Sequence, residues 1–128
     1  MNLLLDTHAL IWFVAGSENL SPPIRAAIED ERNAVHVSAV SAMEITTKFR
    51  LGKLPSAAPL ATDFTRVVAE RGFMPLPITL GHAERAGAMD IPHKDPFDRL
   101  LIAQAIAEAM TLVSNESVFD GFGVSRLW

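Results

Sequence analysis

The sequence predicts an α/β protein in three layers, α/β/α, with helices on both faces of a mainly parallel central sheet. Three observations carry that expectation. Short apolar segments alternate with segments of helical period, the pattern of parallel strands joined by crossover helices. The first of them, Asn2-Leu3-Leu4-Leu5, is apolar without alternation until Asp6 ends it, as in a strand buried on both faces. Pro96 to Met110 is apolar all round between Leu100 and Ala107 except at Gln104, which marks a helix sealed against the sheet.

The remaining elements follow in chain order. A helix through Ala9 to Val14 succeeds the first strand. Ser21 with Pro22-Pro23 supplies a cap and an N1 proline for a second helix to about Glu31, and Ala34 to Val37 reads as strand. Ala42, Ile45 and Phe49 fall at helical spacing within Ala39 to Leu51, and Gly52 ends that helix. Pro55, Ser56 and Pro59 make Leu54 to Pro59 a loop. One helix is expected from Leu60 to Arg71, closed by Gly72. Phe73 to Ile78 reads as an edge strand because Pro75 and Pro77 remove ladder donors. Thr79 then caps a helix to about Met89, and Asp90 to Pro96 is a polar loop before the apolar helix. Thr111 to Ser114 is a last clear strand, and Val124 to Trp128 a further one.

At 128 residues the chain fits one compact domain, residues 1–128. Hydrophobic residues make up 49% and charged residues 20%, which excludes global disorder. With no cysteine, there is no disulfide framework, thiolate nucleophile or sulfur-bound zinc, and any metal is held by oxygen or imidazole. The apolar run Ala9 to Ala15 is far shorter than the roughly 20 residues that span a bilayer, so a cytoplasmic protein without membrane contact is expected. The excess of 15 acidic over 11 basic residues, a net charge of -4, opposes passive attraction to nucleic acid. A few acids gathered in one cation-binding site reconcile that sign with phosphate chemistry.

Ligands of open parallel sheets bind beyond the carboxyl ends of the strands, and the informative acids fall there. Asp6 closes the first strand, Glu44 lies in the first turns of the helix after the second, and Glu116 follows the last clear strand by two positions. Asp98 occupies the first turn of the apolar helix, beside Asp95. Each has a structural explanation as well. Asp6 and Asp95 are good helix caps, Ser41 to Glu44 matches a capping box unless Ser38 is the cap, and Glu116 suits an exposed loop. Their shared rim is what favours a site. Clustered carboxylates raise one another's pKa, and a hard divalent cation such as Mg2+ relieves that conflict with oxygen ligands and bound water. The chemistry expected of such a site is metal-assisted phosphodiester hydrolysis.

Four motifs, LLLDTHALIW at 3–12, SAVSAMEITTKFRLGKL at 38–54, HKDPFDRLLIAQA at 93–105 and LVSNESVFDGFGV at 112–124, make the chain resemble the PIN-domain ribonucleases, specifically VapC-type toxins of toxin–antitoxin pairs. The resemblance implies a Mg2+- or Mn2+-dependent endoribonuclease whose acids correspond to Asp6, Glu44, Asp98 and Glu116, with Asp95 as a nearby contributor. The family's usual fourth acid is aspartate, and Glu116 is one methylene longer. Thr7, Ser38 and Ser114 match hydroxyl positions that lie near the acids in the family. His8 and His93 lie near motif acids and are candidate ligands by type, but neither matches the family's ligand positions and both are read as structural. Lys48, Arg50 and Lys53 are close in sequence but spread around a helix, which argues only weakly for phosphate contact. The resemblance also implies a homodimer and an antitoxin that obstructs the site, with DNA met only through the antitoxin. Trp12, Phe13, Leu51 and Leu54 could form an apolar groove for it, but ordinary core packing is the stronger explanation of them. The competing function is a catalytically weak PIN-fold RNA- or protein-binding module acting in an antitoxin-dependent repressor complex. No glycine-rich phosphate loop of the GxGxxG or GxxxxGK[ST] kind is present.

Overall fold

The computed structural model describes residues 1–128. Five strands, β1 (Asn2–Leu5), β2 (Ala34–Ser38), β3 (Met74–Leu76), β4 (Thr111–Val113) and β5 (Arg126–Leu127), form one sheet in the order β3-β2-β1-β4-β5, every neighbouring pair parallel. The central strand is therefore β1. The chain builds outward from it to β2 and β3 and then returns to its other side at β4, which places the topological switch between β1 and β4.

Seven α-helices cover the sheet: α1 (Thr7–Ala15), α2 (Pro22–Glu29), α3 (Ala39–Arg50), α4 (Ala58–Ala61), α5 (Phe64–Glu70), α6 (Leu80–Ala88) and α7 (Pro96–Ala107). Alternation along β1 divides the core between two layers. Leu3 and Leu5 join a cluster with residues of α1, α2, α4 and α5, while Leu4 faces a second cluster built largely on α7. Helix α3 serves both, with Ile45 in the first and Val40 in the second. Leu101, Ile102, Ala103 and Ala105 of α7 are buried, as the apolar helix requires. No helix is long and apolar enough to cross a membrane.

The edge position of β3, with Pro75 inside it, agrees with the sequence reading. Other boundaries need correction. The expected loop at 54–59 holds a 3-10 turn, Pro55–Ala57, and the first residues of α4. The single helix expected from Leu60 to Arg71 is two. The Thr62 hydroxyl bonds back to the Ala58 carbonyl, and Asp63, at φ -156° and ψ 51°, leaves helical geometry to start α5 while its carboxylate accepts from Arg66. Helix α1 begins two residues before Ala9, and α7 stops at Ala107. The last strand is confined to Arg126–Leu127 because a 3-10 turn, Ser117–Phe122, and left-handed Gly123 occupy the preceding segment.

Candidate functional site

Asp6 leaves β1 at the switch point and caps α1, accepting the Ala9 amide at 2.8 Å. The structural and functional readings of this residue hold together, because the same side chain also lines a pocket. Burial pushes its carboxyl from the usual 3.8 up to about 6; hydrogen bonding by Ser114 and the Ala9 amide and the nearby His8 act in the opposite sense, and Glu116 adds to the rise. Ser38 caps α3 by accepting the Val40 amide at 2.9 Å. The alternative cap at Ser41 is thus not used, and Glu44, one turn further, turns inward. Its Oε1 accepts from the Thr7 hydroxyl at 2.6 Å and its Oε2 from Lys48 Nζ at 2.5 Å. Glu44 is 5% exposed.

Asp95 caps α7, its Oδ1 accepting the amides of Phe97 at 2.8 Å and Asp98 at 3.3 Å. Asp98, in the first turn, bonds His93 Nε2 through Oδ2 at 2.7 Å. Burial raises the Asp98 pKa, the His93 bond opposes that rise, and Asp95 and Glu116 reinforce it. Arg99 fixes the approach to α7. Its guanidinium donates to the carbonyls of Ala86, Met89, Ile91 and His93 at 2.6 to 3.2 Å, so the loop carrying His93 and Asp95 is pinned to the helix it precedes. Beyond β4, the Ser114 hydroxyl accepts the Glu116 amide at 3.0 Å and turns that residue toward the rim.

Asp6, Glu44, Asp95, Asp98 and Glu116 therefore line one pocket of about 100 Å3 together with Thr7, His8 and Lys48, and no hydrophobic side chain borders it. Four segments of the chain meet there: the start of α1, α3, the start of α7 and the residues after β4. The donor set is all carboxylate oxygen, the kind a hard divalent cation takes. As the side chains rest here, however, no three acid or imidazole groups are close enough together to hold a metal ion. Lys48 and Thr7 instead hold Glu44, and His93 bonds Asp98. Lys48 is the one lysine or arginine among the residues that line the pocket.

Of the three expected hydroxyls, Thr7 and Ser114 touch site acids, whereas Ser38 does not. It donates to Gln104 Oε1 at 2.5 Å, because its duty as the α3 cap points it away from the pocket. Lys48 alone of the three clustered bases lines the site; Arg50 and Lys53 are exposed elsewhere. His8 and His93, expected to be structural, lie at the pocket and on Asp98. Their positions two after Asp6 and five before Asp98 were the available signal. Trp12, Phe13, Leu51 and Leu54 form no single apolar groove, and core packing, the stronger reading of them, holds for Trp12, Phe13 and Leu54. Phe13 is in the core against Phe73, Leu54 packs on that core, and Leu51 is exposed at the end of α3.

The sequence matches the PIN domain family over residues 3–124. The chain belongs to the PIN domain family. Among curated proteins, this PIN domain is similar to ribonuclease VapC16 of Mycobacterium tuberculosis, at 37% identity over 68 residues, covering 53% of this chain and 48% of that protein. The match spans about half the length of that relative. The fold is similar to that of VapBC2 from Rickettsia felis bound to a DNA fragment from their promoter, with a TM-score of 0.72 and 16% identity over 100% of this chain and 99% of that one. A toxin–antitoxin complex from Klebsiella pneumoniae gives 0.67 and 19%, covering 98% and 96%. VapBC-1 from nontypeable Haemophilus influenzae gives 0.66 and 12%, covering 99% and 97%. At these identities the structural likeness concerns the PIN fold.

Proposed function

We propose that this PIN domain, acting as one unit over residues 1–128, is the toxin of a type II toxin–antitoxin pair and an endoribonuclease that hydrolyses RNA phosphodiesters with Mg2+, or Mn2+ in its place. The observation that supports this reading is the convergence of five carboxylates from separated parts of the chain on one pocket without apolar lining. Asp6, Glu44, Asp98 and Glu116 are the residues that would hold the cation, with Asp95 beside them. A bound divalent ion supplies a water of lowered pKa and offsets charge on the phosphate.

The chain's own part is orientation and charge balance. Thr7 fixes one oxygen of Glu44, Ser114 accepts the Glu116 amide, and Arg99 holds the loop that delivers His93 to Asp98. Lys48 donates to Glu44 and His93 bonds Asp98, contacts that a bound cation would have to displace or share. The protein partner is an antitoxin, in keeping with the similar toxin–antitoxin complex from Klebsiella pneumoniae; the assembly would be a homodimer that meets promoter DNA only through that antitoxin.

The Lys48–Glu44 pair favours the second reading, a PIN-fold binding module of weak catalysis, because a site whose charge is partly balanced by its own lysine can persist without metal. Cleavage of a pool of cellular RNAs in Mg2+, in EDTA and after Mn2+ is restored, with Asp6→Asn as control, separates the two. Metal-dependent cleavage lost in the variant supports the ribonuclease. Partner binding without cleavage, and without thermal stabilisation by divalent ions, supports the module. For a dissociation constant of ~1 mM, ~10 mM Mg2+ stabilises by about 1.4 kcal/mol, a shift of a few degrees.

A further inference from the structure

An aromatic row leaves the acid pocket along its outer side. The His8 ring, whose residue lines the pocket, lies 5.5 Å from the Trp12 ring at 42°, and Trp12 lies 5.8 Å from Trp128 at 55°. These are the chain's two tryptophans, and both stand in this row. Trp12 is half-buried against the core, while Trp128 remains 40% exposed. The pairs are tilted rather than stacked face to face, so no ring of the row seals the exposed part of Trp128.

The sheet register ties this row to the acids. Leu5 pairs with Val113 and Val113 with Leu127, so the next residues, Asp6, Ser114 and Trp128, succeed one another at the same level of the carboxyl rim. Two strand spacings separate the first from the last, ~10 Å. The bonds Asp6 N–H to Val113 O at 3.0 Å and Ser114 N–H to Leu127 O at 3.2 Å hold that level. Arg126 reinforces it with a bidentate pair to Asp120 and a bond to the Ser114 carbonyl at 3.0 Å.

An acidic pocket in a chain of net charge -4 gains little from phosphate attraction, and Lys48 is the one lysine or arginine that lines it. Contacts to the bases of an RNA strand would add affinity that the pocket's side chains do not supply. Aromatic faces provide that without regard to sequence, because every base has a π-face.

We propose that His8, Trp12 and Trp128 form a stacking track on which unpaired bases of single-stranded RNA rest beside the phosphate held at the acid pocket. The track deepens the reading of the pocket as a ribonuclease site and rests on it. It selects single strands over duplex, since bases within a helix are already stacked on one another. Its binding is also shallow in salt dependence, because few phosphates are neutralised.

Intrinsic tryptophan fluorescence reads the track directly, as no other tryptophan is present. The test titrates a short mixed-sequence single-stranded RNA into the Asp98→Asn protein in Mg2+, beside an abasic oligomer of the same length. It also measures KM for cleavage in otherwise wild-type protein carrying Trp128→Ala, Trp128→Leu or Trp128→Phe. Saturable quenching by the RNA and not by the abasic oligomer is expected. Trp128→Ala and Trp128→Leu should weaken binding and raise KM by about 5- to 150-fold, and Trp128→Phe should recover most of the loss. Leucine keeps apolar bulk without an aromatic face, so it remains informative where alanine disturbs folding. Cleavage by wild type with no quenching and an unchanged KM in the leucine variant overturns the track and leaves the ribonuclease standing. Altered self-association with unchanged RNA affinity also overturns it, and assigns the row to a protein contact. Absence of both RNA binding and cleavage in wild type, with any divalent ion, removes the track and the ribonuclease together.

Discussion

Two buried polar clusters sit side by side on the carboxyl rim of the sheet, and they are built on opposite principles. Beyond β2 and β3, Ser38 donates to Gln104 Oε1, and Gln104 Nε2 donates to the Pro77 carbonyl at 3.2 Å and to His82 Nδ1 at 3.3 Å. His82 Nδ1 also accepts the Thr79 amide at 3.1 Å, so the ring proton lies on Nε2, which donates to Glu108 at 2.9 Å. Every donor there meets an acceptor. Beyond β1 and β4, five carboxylates share a pocket with one lysine, and acceptors exceed donors. The first cluster holds helices α3, α6 and α7 together and has nothing left to offer a ligand. The second keeps an excess of negative charge that only an added cation resolves. A place on the rim is shared by both; surplus acceptors are what make one of them a site.

Removing an acid is the sharpest way to break that contrast. Asp6→Asn and Asp98→Asn should each lower RNA cleavage by at least about 100-fold, equivalent to about 3 kcal/mol of transition-state stabilisation, with the fold intact. Asparagine still caps α1 at position 6. A folded variant cleaving at the wild-type rate would detach that residue from the chemistry.

The surplus of charge also carries a signature in stability. Because Asp6 titrates near pH 6 in the folded protein against 3.8 when exposed, the folded state holds its proton more tightly than the unfolded state. Its stabilising effect is fully present below about pH 3.8 and is lost as pH rises through 6, by about 3 kcal/mol in total. Thermal melts in EDTA between pH 4 and pH 7.5 should therefore show a decline that Asp6→Asn removes. A decline of equal size in the variant would place its origin elsewhere.

The two clusters were not equally legible in the amino-acid sequence. Strand ends, helix starts and acid positions together marked Asp6, Glu44, Asp95, Asp98 and Glu116, because local capping rules and the carboxyl-end rule act over short stretches of chain. Even the choice of Ser38 over Ser41 as the cap, which frees Glu44, was open to local reasoning. The neutral cluster was visible only as the single polar interruption at Gln104. Its partners Ser38, Pro77 and His82 lie 66, 27 and 22 residues away, distances over which spacing carries no information. Pairing of Lys48 with Glu44, four residues apart on one helix, fits a familiar helical spacing, but its direction into the pocket depends on how α3 packs. The break of the expected 60–71 helix at Thr62-Asp63 likewise lay within reach of capping preferences, and periodicity overrode them.

Breaking the neutral cluster should act on stability and not on chemistry. Gln104→Leu leaves the Ser38 hydroxyl without its acceptor and the Pro77 carbonyl without a donor in a buried setting, which should cost about 2 kcal/mol. Denaturant midpoints measure that cost. RNA cleavage per folded molecule should stay at the wild-type level, and a large fall in it would show that the two clusters are coupled through α3.

The smallest effect concerns the one cation built into the acid pocket. Lys48 Nζ lies 2.5 Å from Glu44 Oε2, and a metal ion approaching Glu44 has to displace it or share that oxygen. Lys48→Gln removes the competing charge while Thr7 continues to hold Oε1, so Glu44 keeps its orientation. The metal-free protein should lose up to about 1 kcal/mol, because the lysine is partly exposed and its attraction is screened. In exchange Mg2+ should bind about 5-fold more tightly, read as a melting transition that reaches its plateau at lower Mg2+ concentration. Unchanged Mg2+ affinity in this variant would mean that Glu44 stays with the protein's own hydrogen bonds, and that any cation is held by Asp6, Asp98 and Glu116 alone.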